Sequence, residues 1–354
     1  MNTNTLTEFL QQAQCQFQVY DLGRKVAKIN NTDFEKVAEN TVPYPYPIQQ
    51  HAYIGLTFWQ VNKPQQEHFV WFLKLPLDEQ GLLKITAQTS FIKMVIEAMG
   101  ENLTVEVSDK LQQRLASNPF VFKPAMEKLA IFNAMMNTNF VRPASTFYPA
   151  TLEYFSGKTQ WDDQWQSLGF QGIADLCARL DYDNNQQTLI KALPHLPHQP
   201  LQSLALCLEH QQNIKPDLAQ AIAKQAQLAL QAKQTENAIL LLRAISSITD
   251  SNITKSLLEQ QFNSDLIYSP DWYVCIAGRC WSQLQDETLL NRYFEALANH
   301  QGTLFPQLFA DLVAIPTLRE KVLKQLRLTA RSPALSEAIG LLFSAMHSET
   351  KGAQ

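Results

Sequence analysis

The sequence predicts an α+β domain over residues 1–157, holding two β-hairpins and flanking helices. An all-α domain of antiparallel helix pairs follows over 158–354, a HEAT-like or α-solenoid array. Three observations predict it. Before residue 80, short runs rich in aromatic and branched residues, some strictly alternating with polar ones, are separated by turn residues, as in strands. After residue 158, apolar residues recur at intervals of three and four, the period of helices buried along one face. A shift of 33 residues brings Ala244, Ala277 and Ala310 into register, with Leu242, Cys275 and Leu308 two places before them and Leu257, Leu290 and Leu323 in the next helix. Repeats of roughly 20 to 50 residues mark stacked units that bury their apolar faces only against neighbours.

Taken in order, Thr5–Gln14 forms an opening helix on the stripe Leu6, Phe9, Leu10 and Ala13. Residues 16–20 alternate, Asp21-Leu22-Gly23 turns, and 24–29 alternates again, which reads as a β-hairpin. Thr32 caps a helix reaching Glu39, with Glu35 completing a capping box. Pro43, Pro45 and Pro47 then hold Tyr44 and Tyr46 in an extended connector, because each proline locks φ and restricts the residue before it. Residues 51–61 and 67–75 flank a turn at 62–66 and make a second hairpin. The continuous run Phe69-Val70-Trp71-Phe72-Leu73 places its second strand inside the sheet with both faces covered. Asp78 opens a helical region reaching Met99, and helices follow at 109–116, 124–136 and after Pro149.

Beyond Gly157, helices fall near 171–180, 185–193, 199–210, 216–233, 236–248, 252–262, 270–284, 286–299, 303–314, 316–328 and 333–346. Pro200, Pro216, Pro270, Pro316 and Pro333 stand at helix starts, where a missing amide hydrogen costs nothing. Links of a few residues force neighbouring helices antiparallel.

Composition narrows the function classes. The chain has 354 residues, 45% hydrophobic and 18% charged, enough to bury two cores and too apolar for disorder. Its net charge is −4, with 13 basic against 14 acidic residues before residue 158 and 16 against 19 after it. Neither half carries the basic excess that phosphate-backbone binding requires, so a nucleic-acid partner is disfavoured. Locally, Arg319, Lys321, Lys324, Arg327 and Arg331 offer one basic stripe, which equally suits helix C-termini. The aromatics of the second hairpin are core residues rather than a base-stacking platform. No window approaches the roughly 18 apolar residues of a membrane helix, and the start lacks a signal-peptide pattern. The five scattered cysteines are unlike a secreted disulfide framework, so the expectation is a reduced, cytoplasmic protein.

Few residues suggest chemistry. His195 and His198 lack further ligands nearby, and the flanking prolines point to an exposed loop rather than a metal site. Cys275 and Cys280, five apart on one predicted helix, are read as apolar packing, since sharing a metal or disulfide would break that helix. Asp21 and Arg24 flank a tight turn and either pair across it or, with Lys74 and Asp78 from the other hairpin, bind a polar ligand. Nucleophile-elbow and phosphate-loop patterns are absent, and no cofactor is expected.

The segments Val19-Tyr20-Asp21-Leu22-Gly23-Arg24, Pro43-Tyr44-Pro45-Tyr46-Pro47 and Phe72-Leu73-Lys74-Leu75-Pro76-Leu77-Asp78-Glu79-Gln80-Gly81 resemble an uncharacterised gammaproteobacterial family, number 3549 among the domains of unknown function. The resemblance runs nearly the full length. It implies a bacterial cytoplasmic protein and supplies no activity or site residues. The expected function is therefore a non-enzymatic interaction or scaffold protein that binds a protein partner on its helical array. The alternative is an enzyme or small-ligand binder with a pocket where the two domains meet, using Asp21, Arg24, Lys74 and Asp78.

Overall fold

A computed structural model describes residues 4–62, 68–99, 114–115, 117–158, 160–162, 164–248, 252–262, 269–300 and 304–352. Residues 63–66 of the turn expected in the second hairpin, and all of the helix expected at 109–116 except 114–115, lie outside them. Two units are distinguished, Met1–Pro143 and Ala144–Gln354. The first is a small antiparallel sheet with helices, and the second is helical throughout its described length.

In the first unit, helix α1 (Leu6–Gln12) starts on Thr5, whose hydroxyl accepts from the Glu8 amide while the Glu8 carboxylate returns to the Thr5 amide. This capping box satisfies two amides that the helix cannot. Strands β1 (Cys15–Asp21), β2 (Ala27–Ile29), β3 (His51–Gln60) and β4 (Phe69–Pro76) form one sheet in the order β2-β1-β3-β4, every pair antiparallel. Helix α2 (Asn31–Ala38) is capped two residues earlier than expected. Asn30, not Thr32, is extended at the boundary, and its side chain accepts from the Thr32 amide at 3.2 Å.

Strand β4 is an edge strand, not an interior one. Its continuous apolar run has another cause. One face of the sheet, through Val19, Ile54, Leu56, Trp71 and Leu73, shares a core with Phe9, Phe34 and Phe91 of α1, α2 and α3 (Ile85–Met99). The opposite face meets α4 (Met126–Asn139), where Phe132 lies 5.2 Å from Tyr20 and 5.6 Å from Phe72, ring to ring. Residues 120–122 close the open side of β4, since Lys74 donates its amide to Phe120 and Phe122 donates to Phe72. An apolar strand edge so covered offers no template to other chains.

The helical region expected from Asp78 begins only at Ile85. The reason is Asp78 itself, whose carboxylate accepts the amides of Gln80 (2.9 Å) and Leu82 (2.8 Å) and so fixes a turn.

The second unit contains α5 (Tyr148–Phe155), α6 (Phe170–Ala178), α7 (Asn185–Ala192), α8 (His198–Leu208), α9 (Pro216–Gln231) and α10 (Thr235–Ala244). It continues with α11 (Asn252–Phe262), α12 (Pro270–Arg279), α13 (Glu287–Ala298), α14 (Leu304–Ala314), α15 (Pro316–Gln325) and α16 (Pro333–Gly352). Pro216, Pro270, Pro316 and Pro333 do open helices. Contacts link α6, α8, α10, α12, α14 and α16 in one succession and α5, α7, α9, α11, α13 and α15 in another. Hydrogen bonds cross between successive members at separations of 33 to 37 residues. Examples are Gln227 to Gln260 (2.7 Å), Gln283 to the Ile248 carbonyl (3.0 Å), Asn291 to Gln325 (3.3 Å) and Lys324 to Glu287 (2.7 Å).

The 33-residue register holds for Ala244 and Ala277, which are buried, and fails at Ala310 and Leu323, which are exposed. The helix expected over 270–284 also ends early, at Arg279. Cys280 leaves it as the C-cap, and a short 3₁₀ turn, Gln283–Gln285, carries Leu284 back into the core. This break lets the Cys280 thiol hydrogen bond to Cys275, which with burial pushes it well above the usual thiol range. All five cysteines are buried and free. Among the described residues, no helix is long and apolar enough to cross a membrane.

Candidate functional site

Asp21 and Arg24 share one sealed turn at the end of β1, with 0% and 2% of their surface exposed. The Asp21 carboxylate accepts the Gly23 amide (3.1 Å), the Lys25 amide (2.9 Å) and the Tyr44 hydroxyl (2.6 Å). Burial pushes its pKa up to about 6, against the pull of those donors and of the nearby Lys128 charge. Arg24 donates its Nε to the Pro47 carbonyl at 2.7 Å, and Lys128 donates to the carbonyls of Leu22 and Gly23. The segment around Tyr44 lies against the turn, bending at Pro45 and Tyr46 rather than running extended throughout as expected, and so brings a tyrosine distant in sequence to Asp21.

Lys74 does not join this cluster. In the register Asp21 stands opposite Ile54, whereas Lys74 stands opposite Tyr53, one residue away. Successive side chains leave a strand on opposite faces, so the sheet lies between them. Lys74 instead covers the Tyr53 ring, 5.5 Å from its centre. Asp78 is exposed in its own turn. The turn cluster is a closed internal brace rather than an open pocket.

The other suggested residues also take local partners. His195 stacks on Trp161 at 4.6 Å, and His198, the first residue of α8, bonds through Nδ1 to the Asn237 amide oxygen at 2.7 Å. His195 is exposed, as expected, at the end of a short 3₁₀ turn, Leu193–His195, whereas His198 already belongs to the next helix rather than to a loop. Of the basic stripe, Arg319 and Arg331 donate to the carbonyls of Val313 and Leu326, Lys321 to that of Gln285, and Lys324 to Glu287.

An open cavity lies elsewhere, across α8, α10 and α12, with a volume of about 530 Å³. Ligand pockets commonly fall between roughly 300 and 1,000 Å³. At one end is the buried Glu209, which C-caps α8. Arg243, in the last turn of α10, grips it with Nε (2.6 Å) and Nη2 (3.1 Å), while Arg279, ending α12, adds Nε at 3.2 Å. His210 Nε2 stands 3.5 Å from the same carboxylate. Burial pushes the Glu209 pKa up, but the Arg243 hydrogen bond and the charges of Arg279, His210 and Arg243 outweigh it and hold the group below the usual range. The same attraction raises the Arg243 guanidinium against its own desolvation.

Toward the other end, exposed Glu236 and Asp271 occupy the first turns of α10 and α12 beside His198. The floor between is apolar, with Ile239, Leu240, Val274 and Cys275. A Cβ built on Gly278 meets nothing within 4 Å, so the groove stays open there. His198 meeting Asn237 and Glu209 meeting Arg243 show that α8 and α10 run side by side in the same direction.

Sequence reasoning missed this site because its residues are separated by 34 to 39 positions. The signal was a spacing of 34 to 39 residues, at which side chains on parallel neighbouring helices face each other. Among the described residues, no group of three or more His, Cys, Asp or Glu side chains could hold a metal ion.

No curated protein and no solved structure matches the chain. A family model described as "Protein of unknown function (DUF3549)" matches residues 1–343, and the chain therefore belongs to that family.

Proposed function

We propose that the chain is a non-enzymatic interaction protein that binds a protein partner in the groove across α8, α10 and α12. In this reading the second unit is a stacked array of helix pairs, an α-solenoid. Its support is the twofold succession of helices and the hydrogen bonds that recur at separations of 33 to 37 residues. Stacked pairs expose continuous surfaces suited to partners. The observation that carries the reading is the open groove of about 530 Å³ with a charged pair at its end.

Gly278→Arg tests it. The new side chain enters empty space from a helical position, where arginine is a better helix former than glycine, so the fold is kept. In a pull-down from native lysate, the wild-type chain recovers a partner that the variant, melting at an equal or higher temperature, does not. Equal recovery by both would remove the groove from the function.

A further inference from the structure

The groove has an apolar floor between charged ends, and that narrows what fits it. Its ends differ in charge sign. At the α10 and α12 C-termini, the guanidiniums of Arg243 and Arg279 line the groove, both in contact with the Glu209 carboxylate. At the N-termini stand two carboxylates, Glu236 and Asp271, neither ion-paired among the described residues. Glu236 and Arg243 are seven residues apart on one helix, a rise of about 10 Å. An extended chain covers that span in about three residues.

Resting on the groove reading above, we infer that the occupant is an extended peptide segment carrying a basic and an acidic side chain about three residues apart. The acid meets Arg243 and Arg279, and the base meets Glu236 and Asp271. The residues between cross Leu240, Val274 and the open backbone at Gly278, which admits a second main chain close to the helix. Carboxylates pair with arginine through planar, directional hydrogen bonds, so the acid end fixes the register of the segment.

The test uses the full-length chain and a fluorescent peptide, acetyl-Gly-Lys-Ala-Val-Glu-Gly-amide, with fluorescence anisotropy as the readout. Two further peptides replace Lys or Glu with Gln. The parent peptide binds at least tenfold more tightly than either neutral variant. Arg279→Gln abolishes the preference for Glu over Gln while keeping the preference for Lys, and Asp271→Asn does the reverse. Equal binding of the three peptides, or no binding of the parent at millimolar concentration, overturns the inference. If the peptides fail while Gly278→Arg still loses the lysate partner, the ligand class is wrong and the groove reading stands. If Gly278→Arg captures the partner as well as wild type does, the groove reading falls with it.

Discussion

Glu209 and Arg243 face each other from 34 residues apart, the carboxylate 3% exposed and the guanidinium 23%, joined by two hydrogen bonds. Removing the acid takes away the negative charge that Arg243, Arg279 and His210 share at the end of the groove. Breaking a buried pair costs about 3–5 kcal/mol, and partial exposure of the arginines brings the expected loss for Glu209→Gln to about 2–3 kcal/mol. Because the carboxyl pKa is depressed in the folded state, its stabilisation is full above the ordinary glutamate pKa and disappears as pH falls through the folded value. Melting curves between pH 7 and pH 3 check this: the gap between wild type and variant closes on the acid side. A gap independent of pH would contradict it.

Asp21 behaves in the opposite sense. Its folded pKa, about 6, lies above the ordinary aspartate value of 3.8, so protonation favours the folded state. The stability it contributes is full below about pH 4 and is lost as pH rises through about 6. Relative to Asp21→Asn, which does not titrate, wild type loses about 2–3 kcal/mol between pH 4 and pH 7. Denaturant titrations of both chains at those two pH values measure it. A wild-type advantage that grows with pH would show that the donors around Asp21 outweigh its desolvation.

Two helical glycines should respond with opposite signs. In Gly172→Ala the added methyl lies 2.2 Å from the Thr151 hydroxyl and 2.8 Å from the Phe147 carbonyl, so the chain must shift. Overpacking of this kind costs about 1–3 kcal/mol. Gly340→Ala in α16 meets nothing within 4 Å and gains about 0.5–1 kcal/mol from helix propensity. Thermal melts of the two variants should therefore move in opposite directions.

Asp286 joins two tasks. Its Oδ1 accepts the Leu289 amide at 2.9 Å, capping α13, and its Oδ2 meets Lys255 of α11 at 2.7 Å. Asp286→Ala should cost about 1 kcal/mol through the lost cap, whereas Lys255→Ala, which breaks the half-exposed ion pairs to Asp286 and Glu259 and leaves the cap in place, should cost less. Comparable losses in chemical denaturation would assign the larger share to the ion pair.

The helices were legible because their signals are local. Proline fixes a start at Pro216 or Pro270, and apolar residues three and four apart fix a face. The strands were legible for the same reason. Less visible was the position of β4, because Phe69–Leu73 reads alike whether helices cover both faces or strands flank both sides. The early stop of α12 was also hidden, since Trp281 and Leu284 continue the helical stripe after the backbone has left the helix. Of the turn cluster, Asp21 and Arg24 could be seen as neighbours. Tyr44 and Lys128 complete it from 23 and 106 residues away, distances that no local pattern carries. The groove required matching charges across one interval, and the interval varies too much from pair to pair for a fixed shift to find them.

The reach of the bonds sets an order of assembly. In the helical unit the ties that cross between helices close only some 35 residues of chain, so its contacts are comparatively local and form early. In the sheet unit, Tyr20 must wait for Asn139, 119 residues later, before the second face of β1 is covered. Closing so long a stretch is slow. Refolding should accordingly show a fast phase from the helical unit and a later one from the sheet, during which the uncovered strands are most open to association with other copies.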